Sequence, residues 1–201
     1  VCCSSNPLGI ATTPKELLSN LINKTKLIII HGDITLEVAD VIVNSTNVNL
    51  THKGGVAEAI STHGGATIQE ESNKYIKNNG PLTVSTVIVA SPGKLQCKRL
   101  FHAVGPIYID GNKHEAELLS KTIENALDQA QKLSMKSISF PAISSGIFSF
   151  PKVECAGIFF STIDSFLEKN PNTCIEEIRL INNDFPTAKV FEQEYKKRKL
   201  N

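Results

Sequence analysis

A chain of 201 residues that is 41% hydrophobic and 20% charged can bury roughly 70% of its unfolded surface, enough for unaided folding around one core. Its 21 basic and 20 acidic residues leave a net charge of +1, too small a footprint for sequence-independent binding to a nucleic-acid backbone; a small anion held by main-chain N–H groups stays open. The five cysteines (Cys2, Cys3, Cys97, Cys155 and Cys174) never fall in a C-x-x-C pattern, and the longest run of large apolar residues, 27–30, is far short of the ~20 that cross a bilayer. A monomeric protein of the cytoplasm or nucleus is therefore expected, with no cofactor, no metal and no membrane partner. Because the sequence opens on Val1, a longer parent chain is expected as well.

Residues 1–13, small, polar and punctuated by proline, read as a leader. Pro14 then opens a short predicted helix, with Thr13 as N-cap, Glu16 three residues on, and Leu17, Leu18, Leu21 and Ile22 along its apolar face. Residues 1–25 are accordingly set apart from one domain over 26–201. The β-branched runs 27–30 and 41–43 are too short for independent helices and read as buried strands. Helices follow over 55–63 and 67–77, broken at Gly64-Gly65 and ended by Asn78-Asn79-Gly80-Pro81. Runs 87–90 and 100–104 return to strand character, an adjacent and central pair joined through Ser91-Pro92-Gly93.

A long helix over 115–133 carries Leu118, Leu119, Thr122, Ile123, Ala126, Leu127 and Ala130 on one stripe. A strand over 138–140, a helix over 153–167, a strand over 178–181 and a basic-tipped helix over 187–199 complete the chain. Six strands interleaved with helices predict a three-layer α/β/α sandwich around a central mixed, mostly parallel six-stranded sheet.

In such a sheet the ligand site lies beyond the carboxyl ends of the strands, and three segments there carry polar chemistry. The first is His31-Gly32-Asp33-Ile34, where Asp33 either accepts from an exocyclic amine such as adenine N6 or caps the following turn. The second runs from Asn44-Ser45-Thr46-Asn47 to Gly54-Gly55-Val56. Its carboxamides suit vicinal ribose hydroxyls and its glycine turn suits a diphosphate at a helix N-terminus, the alternative being turn residues and loop punctuation. The third, residues 141–151, sets Ser144, Ser145 and Gly146 where their N–H groups can meet phosphate oxygens, with Phe148 placed to cover a sugar and Phe150 assigned to the core. Neither a Walker A sequence nor G-x-G-x-x-G occurs, which counts against nucleotide phosphoryl transfer and dinucleotide oxidoreduction.

Together Gly32-Asp33-Ile34, Val43-Asn44-Ser45-Thr46-Asn47, Gly54-Gly55-Val56, Phe101-His102-Ala103-Val104-Gly105-Pro106 and residues 141–148 resemble the macrodomain family over about 27–191. Within it the chain looks most like macrodomains of poly(ADP-ribose) polymerase-like proteins, with a viral-type note in Asn79-Gly80-Pro81-Leu82. The resemblance implies binding of ADP-ribose or of mono-ADP-ribosyl groups on proteins. Asp33 and Ile34 would take the adenine, Asn44 and Asn47 the distal ribose, and Gly54, Gly55, Val56 and Ala57 one side of the diphosphate. Ser144, Ser145, Gly146, Ile147 and Phe148 would line the other side, and Asn182 and Asn183 would frame the adenine where many relatives place an aromatic.

The family also contains hydrolases. One branch uses an acid directly after the Gly-Gly-Val turn, where this chain has Ala57, so that mechanism is closed to it. Viral-type relatives lacking the acid implicate the equivalents of Asn47 and His52 with a water on the ligand's phosphate; here the catalytic candidates would be Asn47, His52 and Phe148. The alternatives to a reader are thus a hydrolase of ADP-ribosyl esters on acidic side chains and a phosphatase of ADP-ribose 1″-phosphate. For His52 a solvated loop position competes with this role, whereas His102, inside an apolar strand, reads as a hydrogen-bonded core residue.

Overall fold

Alternation within the strand runs divides the core in two. In the computed structural model, which describes residues 13–200, Leu27, Ile29, Val41, Val43, Phe101 and Ala103 face one side of the sheet, and Ile28, Ile30, Ile42 and Leu100 face the other. Of the leader expected over residues 1–13, all but Thr13 lies outside the described residues. Seven strands form one sheet: β1 (Lys15–Ile22), β2 (Thr25–His31), β3 (Ala39–Thr46), β4 (Val87–Ala90), β5 (Cys97–Val104), β6 (Ser137–Phe140) and β7 (Glu177–Asn182), in the order β1-β2-β7-β6-β3-β5-β4. The five inner strands run parallel, and β1 and β4 pair antiparallel at the two edges.

Helices α1 (Gly55–Gly64) and α2 (Ala66–Asn79) cover the Ile42 face through Ile60 and Ile68. Helices α3 (Glu115–Lys132), α4 (Lys152–Lys169) and α5 (Phe185–Leu200) cover the Val43 face, where Phe140, Phe159, Phe160 and Phe191 meet edge to face. The three layers and the mostly parallel sheet follow the sequence reading; among the described residues the strand count is seven in place of six.

The extra strand replaces the helix expected from Pro14. Leu17, Leu18, Leu21 and Ile22 fit a helical stripe, but in the structure Leu18 and Ile22 turn inward at even spacing and Leu21 is 66% exposed. What overrides the local pattern is pairing: Ile22 faces Thr25 across a tight turn in which Asn23 takes φ 55°, and β1 then runs back along β2. Asn20 Nδ2 also donates to the Tyr195 hydroxyl of α5 (2.7 Å), so residues 15–22 are continuous with the sheet and its helical cover. β4, read as central, is an edge strand with Val89 exposed.

β3 and β6 are neighbours, yet the chain leaves β3 toward α1 on one face and β6 toward α4 on the other. Diverging connections of this kind open a crevice above the strand ends.

Candidate functional site

That crevice is a cleft of about 520 Å³, within the range of small-molecule sites. Its walls come from the loops after β2, β3, β6 and β7, and they include Asp33, Ile34, Asn47, residues 54–57, residues 144–148, Asn182 and Asn183. The two glycine-bearing loops touch across it. A Cβ built on Gly54 would lie 2.9 Å from Ile147 Cδ1, and one on Gly55 3.5 Å away.

On the β3 side, α1 begins at Gly55 with no side-chain cap, so the N–H groups of Gly55, Val56 and Ala57 have no partner among the described residues. Across the cleft, Ser145, Ser149 and Phe150 use their N–H groups within the loop, leaving those of Gly146, Ile147 and Phe148 without one. Main-chain donors exposed in facing rows are the kind of arrangement that can hold an anion. Thr46 Oγ1, Ser144 Oγ and Asn182 Nδ2, all on lining residues, are buried and likewise unpartnered among the described residues. Buried donors of this kind cost stability until something accepts from them.

Of the two alternatives expected of Asp33, the structure shows the turn cap. Its Oδ1 accepts from Thr35 N (2.9 Å) and Thr35 Oγ1 (2.7 Å), capping the turn Ile34–Leu36, while Oδ2 has no partner among the described residues and the residue lines the cleft. Asn182 directs Oδ1 at Ala142 N (3.0 Å), which fixes the orientation of its amide. Lys152 and Asp184 close this end with an ion pair of 2.8 Å; the Lys152 ammonium and the Thr187 hydroxyl hold the Asp184 carboxyl below its ordinary range.

Two candidates stand away from the cleft wall. Asn44 is expected in a turn after a strand over 41–43, but β3 continues to Thr46 in register with β5, and Asn44 lies opposite His102 with no exposure. Its Nδ2 donates to His102 Nδ1 (3.1 Å) and approaches His52 Nδ1 (3.4 Å), so the carboxamide is beneath the cleft and does not face it. His52 is neither solvated nor in the wall: it is 5% exposed, stacks on His102 at 5.0 Å and donates from Nε2 to Ser72 Oγ (3.0 Å). Burial lowers its imidazole to about 4; burial and the neighbouring His52 lower His102 to about 3, so both are neutral at pH 7.

Asn47 lines the cleft, yet its carboxamide is engaged by its own loop, with Oδ1 accepting from Asn49 N and Thr51 N and Nδ2 donating to Thr51 (2.8 and 3.0 Å). Phe148 is half-buried in the wall and Phe150 is in the core. Thr46, Thr51, Lys53, Lys152, Asp184 and Thr187 also line the cleft and are missed by the sequence reading. Alternation from Asn44 could have flagged Thr46; the Lys152–Asp184 pair joins residues 32 apart and has no local signal.

No helix among the described residues is long and apolar enough to cross a membrane, and no group of three metal-binding side chains occurs among them. Residues 43–159 match the family model described as Macro domain. The chain is 47% identical over 170 residues to an uncharacterized protein of Thermotoga maritima and 39% identical over 175 residues to mouse Protein mono-ADP-ribosyltransferase PARP9, in each case over 85% of its own length. It spans only 28% and 20% of those two relatives. The Oceanobacillus iheyensis macrodomain with ADP superposes with a TM-score of 0.86 at 29% identity, covering 93% of this chain and 98% of that one. A glycine-to-valine mutant of the same macrodomain with ADPR, also 0.86 and 29%, covers 92% and 99%. With its three layers, its crevice between β3 and β6 and these matches, the chain belongs to the Macro domain family.

Proposed function

We propose that the cleft binds ADP-ribose and that the chain reads mono-ADP-ribosyl groups on proteins. The observation that carries this is the pair of facing amide rows, Gly55 to Ala57 and Gly146 to Phe148, with the Asp33 carboxylate set apart past β2. A diphosphate fits between the rows, Asp33 Oδ2 accepts from adenine N6, and Ile34 N–H donates to the ring beside it. Asn182 and Asn183 border the same nucleoside end, and Asn47 and Phe148 border the distal ribose. The Oceanobacillus iheyensis macrodomain carrying ADP, and its mutant carrying ADPR, support the same ligand here.

A reader is preferred to a hydrolase because neither hydrolytic route finds its groups here: no carboxylate of the loops after β3 and β6 lines the cleft, the Asn47 carboxamide is bound by its own loop, and His52 is buried outside the wall. Calorimetric titration with ADP-ribose, AMP and NAD tests the ligand, and ADP-ribose should bind tightest. Asp33→Ala should weaken it about tenfold, or about 1.4 kcal/mol, by removing a charged acceptor; unchanged heats would refute the adenine assignment. Incubation with an auto-ADP-ribosylated protein tests the activity. Retained label supports the reader, whereas label lost with the parent chain and kept with Asn47→Ala selects hydrolysis.

A further inference from the structure

Residues 144–148 form an arm whose loop makes three main-chain hydrogen bonds of its own, from the N–H groups of Ser145, Ser149 and Phe150. Ser144 and Ser149 both adopt left-handed backbone (φ 66° and 57°), a conformation that persists when surrounding structure imposes it. The neighbouring segment, residues 105–113, supplies that structure at three points. Tyr108 N–H donates to the Phe148 carbonyl (2.9 Å), the Tyr108 ring packs edge-on against Phe150 at 5.0 Å, and Gly105 leaves the space that Ser144 Oγ fills, since a Cβ there would overlap it.

Segment 105–113 has no regular secondary structure, and one side chain from outside it gathers the N–H groups of its second half. Glu115, 1% exposed at the start of α3, accepts through Oε1 from the N–H groups of Ile109 (3.1 Å), Asp110 (3.3 Å) and Gly111 (3.3 Å), and through Oε2 from Lys113 N (2.6 Å). No part of Glu115 lines the cleft.

We propose that Glu115 is a positioning residue for ligand binding: its buried carboxylate fixes residues 105–113, and these in turn hold the Ser144–Phe148 arm at the spacing a diphosphate requires. The ligand half of this inference rests on the ADP-ribose reading above; the mechanical half does not. Burial works against the charge on Glu115, and the converging main-chain N–H groups overcome it, bringing the carboxyl to about 2, so the anchor is ionised at neutral pH.

Glu115→Gln puts an amide NH₂ among donors that need an acceptor. In the ligand-free protein, amide hydrogen exchange of Ser145, Ser149 and Phe150 should accelerate about tenfold, while amides of β2 and β7 keep their protection and the urea midpoint changes little. Calorimetry should show ADP-ribose bound about tenfold more weakly. Glu115→Asp, which keeps the charge one methylene short, should show the same pattern at smaller amplitude, and it decides the matter if the glutamine variant does not fold. Unchanged exchange in the arm, or faster exchange spread evenly over the sheet, would overturn the proposal. If the parent chain takes up no ADP-ribose, the functional reading falls, and arm exchange still judges the brace.

Discussion

Gly55→Glu should lower ADP-ribose affinity at least about a hundredfold, about 2.7 kcal/mol, in a protein that remains folded. Three properties of the position combine. Its N–H is the first unpaired donor of α1, its backbone sits at φ 59°, and a Cβ built on it points into the gap bridged by Ile147, 3.5 Å away. A carboxylate rooted there stands beside a diphosphate. At 4 to 5 Å and an effective dielectric of ~20, like charges repel by about 3 to 4 kcal/mol. Gly55→Ala separates the terms: it carries the left-handed backbone cost, about 1 to 2 kcal/mol of stability, and no charge, so its affinity loss should stay within about tenfold. A folded glutamate variant with parental titration heats would mean that the diphosphate does not lie at this turn.

The same turn shows why much of the site was readable from sequence. Anion cradles made of main-chain N–H groups need glycine or small residues between a strand and a helix, and Gly54-Gly55 and Ser144-Ser145-Gly146 advertise that need locally. Asp33, one residue past Gly32, advertises itself similarly. What the sequence hides is non-local. Residues 15–22 satisfy a helical stripe as well as a strand alternation, and only the pairing with β2 decides between them. Asn44 looks like a turn residue until β3 is seen to run on beside β5, where two imidazoles wait for its amide. Glu115 reads as an ordinary acid in the first turn of α3, because its partners are main-chain N–H groups that carry no side-chain signature. Residues that their own turn places in the cleft wall are legible in the sequence; those placed by what another strand or loop brings to them are not.

That hidden layer dominates the expected response to acid. His52 and His102 lie stacked and neutral beside the Asn44 carboxamide, and neither has a carboxylate partner among the described residues. Their folded values of about 4 and about 3 are below the ordinary histidine value of 6.5, so between those limits the unfolded chain binds protons that the folded one refuses. Stability therefore rises with pH across this window. It is complete above about 6.5 and declines as the pH falls toward 4. Two such imidazoles would lose on the order of 3 to 4 kcal/mol between pH 7 and pH 5. The carboxyl groups add little over the same interval, since unfolded Asp and Glu titrate near 4. Urea unfolding at pH 7 and pH 5 should show that decrease in the parent chain and about half of it in His102→Leu, which keeps the apolar bulk and removes one proton acceptor. Equal losses in both proteins would show that the buried imidazoles do not govern the acid limb.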